Sequence, residues 1–174
     1  MTESLIWLAV FLLAFIVFGT AAYASFRAAP WLPLRTRDHH RILRHLENRV
    51  GTLLELGAGD ARLLAQVAKK TKLKGVGYEI SLLPYIAGKI RLKLSHACKN
   101  AELHMKDFFY EDFSHADVVY CFLTPAAMKK LRPKFEKELK KGARVISYSF
   151  KIPGWNPTIE DREEGGIPVF VYDR

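Results

Sequence analysis

Acidic residues are scarce in this chain, and cysteine is nearly absent. Asp and Glu number 18 against 27 Lys and Arg, a net charge of +9 over 174 residues. That surplus favours an anionic neighbour: phospholipid head groups, nucleic acid or an acidic partner. The two cysteines, Cys98 and Cys121, lack metal-ligand spacing and lie in apolar surroundings. They suit free thiols in a reducing compartment, and no metal is expected. No internal repeat and no low-complexity stretch interrupts the pattern, so one domain of ordinary size is expected.

Charge is missing altogether from Ser4 to Ser25, "SLIWLAVFLLAFIVFGTAAYAS". About 20 apolar-dominated positions suffice to cross roughly 30 Å of hydrocarbon as a helix. Trp7 and Tyr23 sit near its two ends, as interfacial aromatics do. A cleavable signal peptide is the rival, since Ala22-Tyr23-Ala24 resembles a small-x-small cleavage site. "MTES" carries no positive charge, however, and the run is longer than a usual signal core, which favours an anchor. Arg27, Arg35, Arg37, Arg41 and Arg44 follow the span, with only Glu3 on the other flank. The positive-inside rule then places the remainder on the cytoplasmic, or mitochondrial matrix, side.

"RAAPWLPLRTRDHH" comes next, held extended by Pro30 and Pro33. A helix is expected over 39–49, capped by Thr36 or Asp38. Strands are expected over 52–56, 74–79, 101–105, 116–122 and 144–150. Helices are expected over 61–70, 83–95 and 126–140, the last broken or restarted at Pro133. The alternation predicts an α/β fold with a doubly wound, mainly parallel sheet; 158–162 and 168–172 read as a closing hairpin. The organisation is an anchor over 1–27, a connecting segment and helix over 28–50, and the main domain over 51–174.

"LLELGAGDARLL" turns from a buried strand into a helix through Gly57-Ala58-Gly59. A dinucleotide would want a third glycine, but Arg62 stands there, and Asp60 puts negative charge where a pyrophosphate would bind. A cationic ligand with a free amino group tolerates Glu55 and Asp60. S-adenosylmethionine, with its sulfonium, α-amino group and adenosine, is such a ligand. Glu79, followed by Ile80, ends the second strand, where a carboxylate can take both ribose hydroxyls. Asp107 follows the third strand and can accept the adenine amino hydrogen, with Phe108 beside the ring. Phe122 closes the cofactor-side set.

With those motifs in place, the chain resembles the seven-β-strand, Rossmann-like class I methyltransferases. More narrowly, it is similar to the membrane-anchored protein-lysine methyltransferases that include the mitochondrial enzymes acting on the ATP synthase c subunit and the adenine nucleotide translocase. "APWLPLRTRDHHRIL" matches the family's pre-methylation segment, and "CFLTP" and "SFKIPGW" are its more specific signatures. One departure is Ala61, where such motifs often carry glycine. The resemblance implies transfer of methyl groups from S-adenosylmethionine to a lysine of a membrane-associated protein.

The residues support a lysine acceptor independently. Phe122-Leu123-Thr124-Pro125 lacks the polar-Pro-Pro-aromatic motif of enzymes that methylate exocyclic base nitrogens, so nucleic acid is disfavoured. Presenting a lysine ε-amine neutral at pH 7 costs about 4–5 kcal/mol from its reference pKa of about 10.4. Desolvation in an aromatic tunnel recovers much of that. Thr124, Tyr148 and Trp155 are the expected catalytic lining, with Phe150 nearby, and Trp31, Thr36 and Pro125 the acceptor-side gate. No general base stands out. A small-molecule or aminophospholipid N-methyltransferase is the alternative activity, and a catalytically silent membrane adaptor the remaining one.

Overall fold

Helix α1 (Thr2–Arg27) opens the computed structural model, which describes residues 2–32 and 34–174. No residue of the apolar window within α1 is buried by the rest of the protein, as befits a candidate membrane span. Pro33 and the expected stiffening there lie outside the described residues.

The domain follows as α2 (Thr36–Arg44), β1 (Val50–Leu56), α3 (Arg62–Lys70), β2 (Lys72–Glu79), α4 (Leu82–Leu94) and β3 (Ala101–Met105). It continues with β4 (Val118–Cys121), α5 (Pro125–Glu138), β5 (Arg144–Tyr148), β6 (Ile159–Asp161) and β7 (Val169–Asp173). The seven strands pair in the order β3-β2-β1-β4-β5-β7-β6. The first five run parallel, while β7 is antiparallel to both β5 and β6. Strand order therefore reverses between β1 and β4, and a ligand crevice opens at their carboxyl ends.

Alternation along the strands builds two cores. Leu53 faces a layer with Ile42 of α2, Leu63 and Leu64 of α3, and Leu92 of α4. Its neighbour Leu54 faces the other layer, with Met128, Leu131 and Phe135 of α5. A sheet buried on both faces suits the near-continuous apolar runs of β1 and β4.

Several boundaries differ from expectation for physical reasons. Helix α2 begins at Thr36, and Arg35 is its N-cap without a side-chain bond. Neither Thr36 nor Asp38 caps it; the Asp38 carboxylate serves a buried network instead. The helix also ends early, at Arg44, in tighter turns closed by Leu46 and Glu47 amides, and Asn48 at φ 62 stops it. Helix α5 is unbroken at Pro133, because buried Met128, Leu131 and Phe135 hold both flanks to the sheet. Strand β5 stops at Tyr148, where Ser149 adopts φ 78.

Candidate active site

At the carboxyl end of β1 the chain folds back sharply. Gly57 (φ +75) and Gly59 (φ +55) are left-handed, a region that costs other residues about 1–2 kcal/mol each. Ala61, at φ 56, accepts that strain at the start of α3. The Gly57 and Ala58 amides donate to Tyr78 O on β2, and the Gly59 amide donates to Glu79 Oε2 at 2.8 Å. Glu79 Oε1 accepts from the Ile80 and Ser81 amides, so the turn and the end of β2 are locked together.

A single cavity collects the whole expected cofactor set: Glu55, Gly57, Ala58, Gly59, Asp60, Glu79, Ile80, Asp107, Phe108 and Phe122. Its roof comes from outside the sheet. Ala24 and Arg27 of α1, with Trp31, Leu32 and Leu34 of the connecting segment, close it over. Trp31 lies so near the glycine turn that a Cβ on Gly59 would stand 2.8 Å from its Nε1.

The acids in this cavity are in different states. Asp60 Oδ2 accepts from Arg62 at 2.7 Å and Arg91 at 2.8 Å, so its charge is already balanced. Asp107 Oδ1 accepts from the Phe109 amide, while its Oδ2 accepts from Arg27 Nε at 2.9 Å and from the Tyr23 hydroxyl at 3.4 Å. The last turns of α1 thus rest on the carboxylate expected to meet adenine. Glu55 is the exception. Its Oε2 is buried without a hydrogen-bond partner among the described residues. Burial pushes its carboxyl well above the usual range, with Asp60 and Glu79 adding to the shift against the Leu64 amide.

Tyr120, which the sequence pattern does not single out, shares that condition. It is Glu55's register partner on β4, lines the same cavity, and keeps a buried, unpartnered hydroxyl. Burial and the neighbouring Glu55 push its phenol up as well. The available signal was a tyrosine inside the apolar run "DVVYCF", whose hydroxyl needs a partner. Buried polar groups are normally satisfied, so an acceptor and a hydroxyl left open side by side fit a ligand with an amino group. Here the residues fit S-adenosylmethionine: Glu55 and Tyr120 for its polar end, Glu79 and Asp107 for its nucleoside.

The expected catalytic lining is dispersed. Thr124 is the N-cap of α5, accepting from the Ala127 amide, and its hydroxyl donates to Ala28 O at 2.6 Å; it ties the roof down. Tyr148 is buried and donates to Asp38 Oδ2 at 2.5 Å, with the Phe122 ring edge-on at 4.8 Å. Burial and Asp38 push the Tyr148 phenol up, so it stays protonated. Trp155 is not brought to the cavity. Its indole packs on Phe135 and Tyr172 and donates to Glu136, across the sheet from Glu55 and Tyr120. Pro125 starts α5, Thr36 starts α2 in solvent, and Phe150 lies past the end of β5; the cavity lining includes none of them.

The Asp38 carboxylate belongs to a buried hub. Arg41 donates to Asp38 Oδ1 at 3.0 Å, to Asp161 Oδ1 at 2.7 Å, and to the carbonyls of Asp161 and Ile167. Burial opposes ionisation of Asp38, yet hydrogen bonds from Tyr148 and Arg41 outweigh it and hold that carboxyl below its usual range. The hub fixes α2, and with it the roof segment, to the β6–β7 hairpin.

Known proteins agree with this geometry. Residues 55–159 match the family model described as the ANTKMT methyltransferase domain. A protein-lysine N-methyltransferase of Saccharolobus islandicus is 35% identical over 151 residues, covering 82% of this chain and 91% of that protein. The adenine nucleotide translocase lysine N-methyltransferase of Mus musculus is 31% identical over 146 residues, 83% of this chain but 62% of its own length. The chain therefore spans less than two thirds of that mammalian relative. Among solved structures, an RNA methyltransferase from Salinibacter ruber in complex with S-adenosyl-L-homocysteine superposes with a TM-score of 0.77 at 27% identity, covering 82% of this chain and 93% of that one. The strand order, the glycine turn and these likenesses make S-adenosylmethionine the cofactor, and the chain belongs to the ANTKMT methyltransferase domain family.

Proposed function

We propose that the protein is held in a membrane by α1 and methylates the ε-amine of a lysine in a protein at the surface of that membrane. Membership of the family, with a protein-lysine N-methyltransferase at 35% identity, supports the reaction. One observation carries the membrane half: Ala24 and Arg27, on the last turn of the apolar helix, are walls of the cofactor cavity. Chemistry then takes place where the span enters the domain, within reach of a membrane-embedded acceptor. The arginines after the span favour the cytoplasmic or matrix face.

When bound, the cofactor supplies a methyl group on a positively charged sulfur. The chain's own contribution is placement and dryness. Apolar and aromatic walls from Trp31, Leu32, Leu34, Phe108 and Phe122 exclude water, which favours the neutral form of an entering amine. Neither Tyr148, held protonated, nor Asp38, held ionised and sequestered by Arg41, is placed as a base for it. In-line positioning is therefore the main demand on the site.

The Salinibacter ruber likeness raises RNA as a rival acceptor. The full chain in phospholipid vesicles, given radiolabelled cofactor and a membrane extract, separates the readings. Label in protein, recovered as methyl-lysine after acid hydrolysis, is expected. Label confined to RNA or to lipid would overturn the proposal.

A further inference from the structure

The outward face of α4 is apolar where a solvent-facing helix should be polar. Leu83, Ile86, Ile90 and Leu94 are 57, 44, 53 and 74% exposed. Their spacing puts them on one stripe of a helix, while Pro84, Gly88 and Leu92 are buried on the other side. Lys89 and Lys93 flank the stripe, exposed and without an acidic partner among the described residues. An uncovered apolar stripe edged by lysines has the composition of a helix lying in a membrane interface.

Its place in the fold suits that role. Helix α1 crosses the carboxyl edge of the sheet in steps. Ala28, just beyond its end, holds Thr124 after β4. Arg27 and Tyr23 hold Asp107 after β3, and Thr20 Oγ1 accepts from the Leu82 amide at the start of α4. Helix α4 connects parallel β2 and β3, its axis running back along the strands. Through Thr20 and Leu82 the start of α4 meets α1, so a bilayer that takes in α1 begins beside α4.

We propose that the outer face of α4 is a second membrane contact, seated in the head-group region of an anionic phospholipid bilayer beside α1. The inference rests on α1 being a membrane span. It commits to lipid because the stripe is continuous with α1, which packs on α4 at Thr20, and because its flanking charges are basic. Lipid on both elements fixes the β3 edge against the bilayer and sets the height of the cofactor cavity above it.

The test uses the full chain, with Cys98→Ser, in vesicles of phosphatidylcholine with and without phosphatidylserine. An environment-sensitive fluorophore is attached in turn at Ile90→Cys, at Phe15→Cys within α1, and at Lys137→Cys on α5. Quenching by lipids with spin-labelled acyl chains is then measured. The Phe15 and Ile90 positions are expected to be quenched several-fold more than Lys137, and Ile90 more strongly when phosphatidylserine is present. Phe15 quenched with Ile90 as unaffected as Lys137 would overturn the α4 contact and leave the anchor standing. Phe15 unquenched would remove the anchor and the inference with it. A shielded Ile90 label that lipids do not quench, and that depends on protein density, would replace lipid by a second copy of the chain.

Discussion

Glu55→Gln should weaken cofactor binding without weakening the fold. The substitution keeps the side chain's size and one amide oxygen for the Leu64 amide, but removes the charge and the open acceptor at Oε2. A charged hydrogen bond contributes about 1.5–3 kcal/mol, so affinity should fall about 10- to 100-fold. Stability should move the other way. Burial raises the folded-state pKa of Glu55 above its unfolded value of about 4.3. The group's contribution to stability is therefore full below about pH 4.3 and is lost as pH rises through the folded value. Glutamine does not titrate, so the variant's melting temperature should gain on the parent's between pH 5 and pH 7, about 2–4 °C for each kcal/mol.

Calorimetry with S-adenosylhomocysteine, which binds without turnover, reads the first half on detergent-solubilised protein. Thermal melts of the empty protein across the same pH range read the second. A residue kept for ligand at the fold's expense gives opposite signs in the two experiments. Unchanged affinity, or a variant that melts lower at every pH, would refute the reasoning.

Other outcomes follow from the hub and the roof. Arg41→Met takes the guanidinium from the buried Asp38 carboxylate and leaves Asp161 with only His45 and Arg44, which should cost about 3–5 kcal/mol and lower the melting temperature by roughly 10 °C; a fall under about 2 °C would show the hub to be unimportant. Trp155→Phe should leave methyl transfer at the parent rate, because the indole faces Phe135 and Tyr172 rather than the cavity, and a large loss of turnover at unchanged stability would return it to the site. Trp31→Ala should reduce turnover of a lysine-containing acceptor with little change in melting temperature, since the ring is half exposed over the Gly59 turn; parent-like rates would make the segment a plain tether.

The sheet was legible because its strands are short apolar runs, and each glycine, proline or acid at their ends had a local meaning. The turn at Gly57-Ala58-Gly59, the locking acid Glu79 and the closing hairpin are all local in sequence. What escaped were properties set by distant partners. Arg41 reads as one more topology-setting charge after a span, yet Asp161, 120 residues on, makes it a core residue. Thr124 reads as lining of the acceptor tunnel because it follows a strand, but Ala28 claims its hydroxyl. Trp155 reads as site lining because its segment follows β5, although the chain turns to the α5 side there. Tyr120 was hidden by its apolar neighbours; only its pairing with Glu55 gives the hydroxyl a purpose.

Those long-range partners divide the site into two materials. The floor is strand-borne: Glu55, the glycine turn and Glu79 are fixed by ladder bonds and by three amides on one carboxylate. The roof is held by few polar ties, chiefly Ala28 to Thr124 and Arg27 to Asp107, with Trp31 resting on the turn. Segments with few buried contacts open at lower free energy than the sheet beneath them. Lifting the roof is therefore the expected route for exchanging used for fresh cofactor, and part of that roof is the root of α1. If α1 is held in a membrane as proposed, the bilayer restrains that roof directly, so attachment would do more than raise the local concentration of substrate. It would act on the half of the site with the fewest ties.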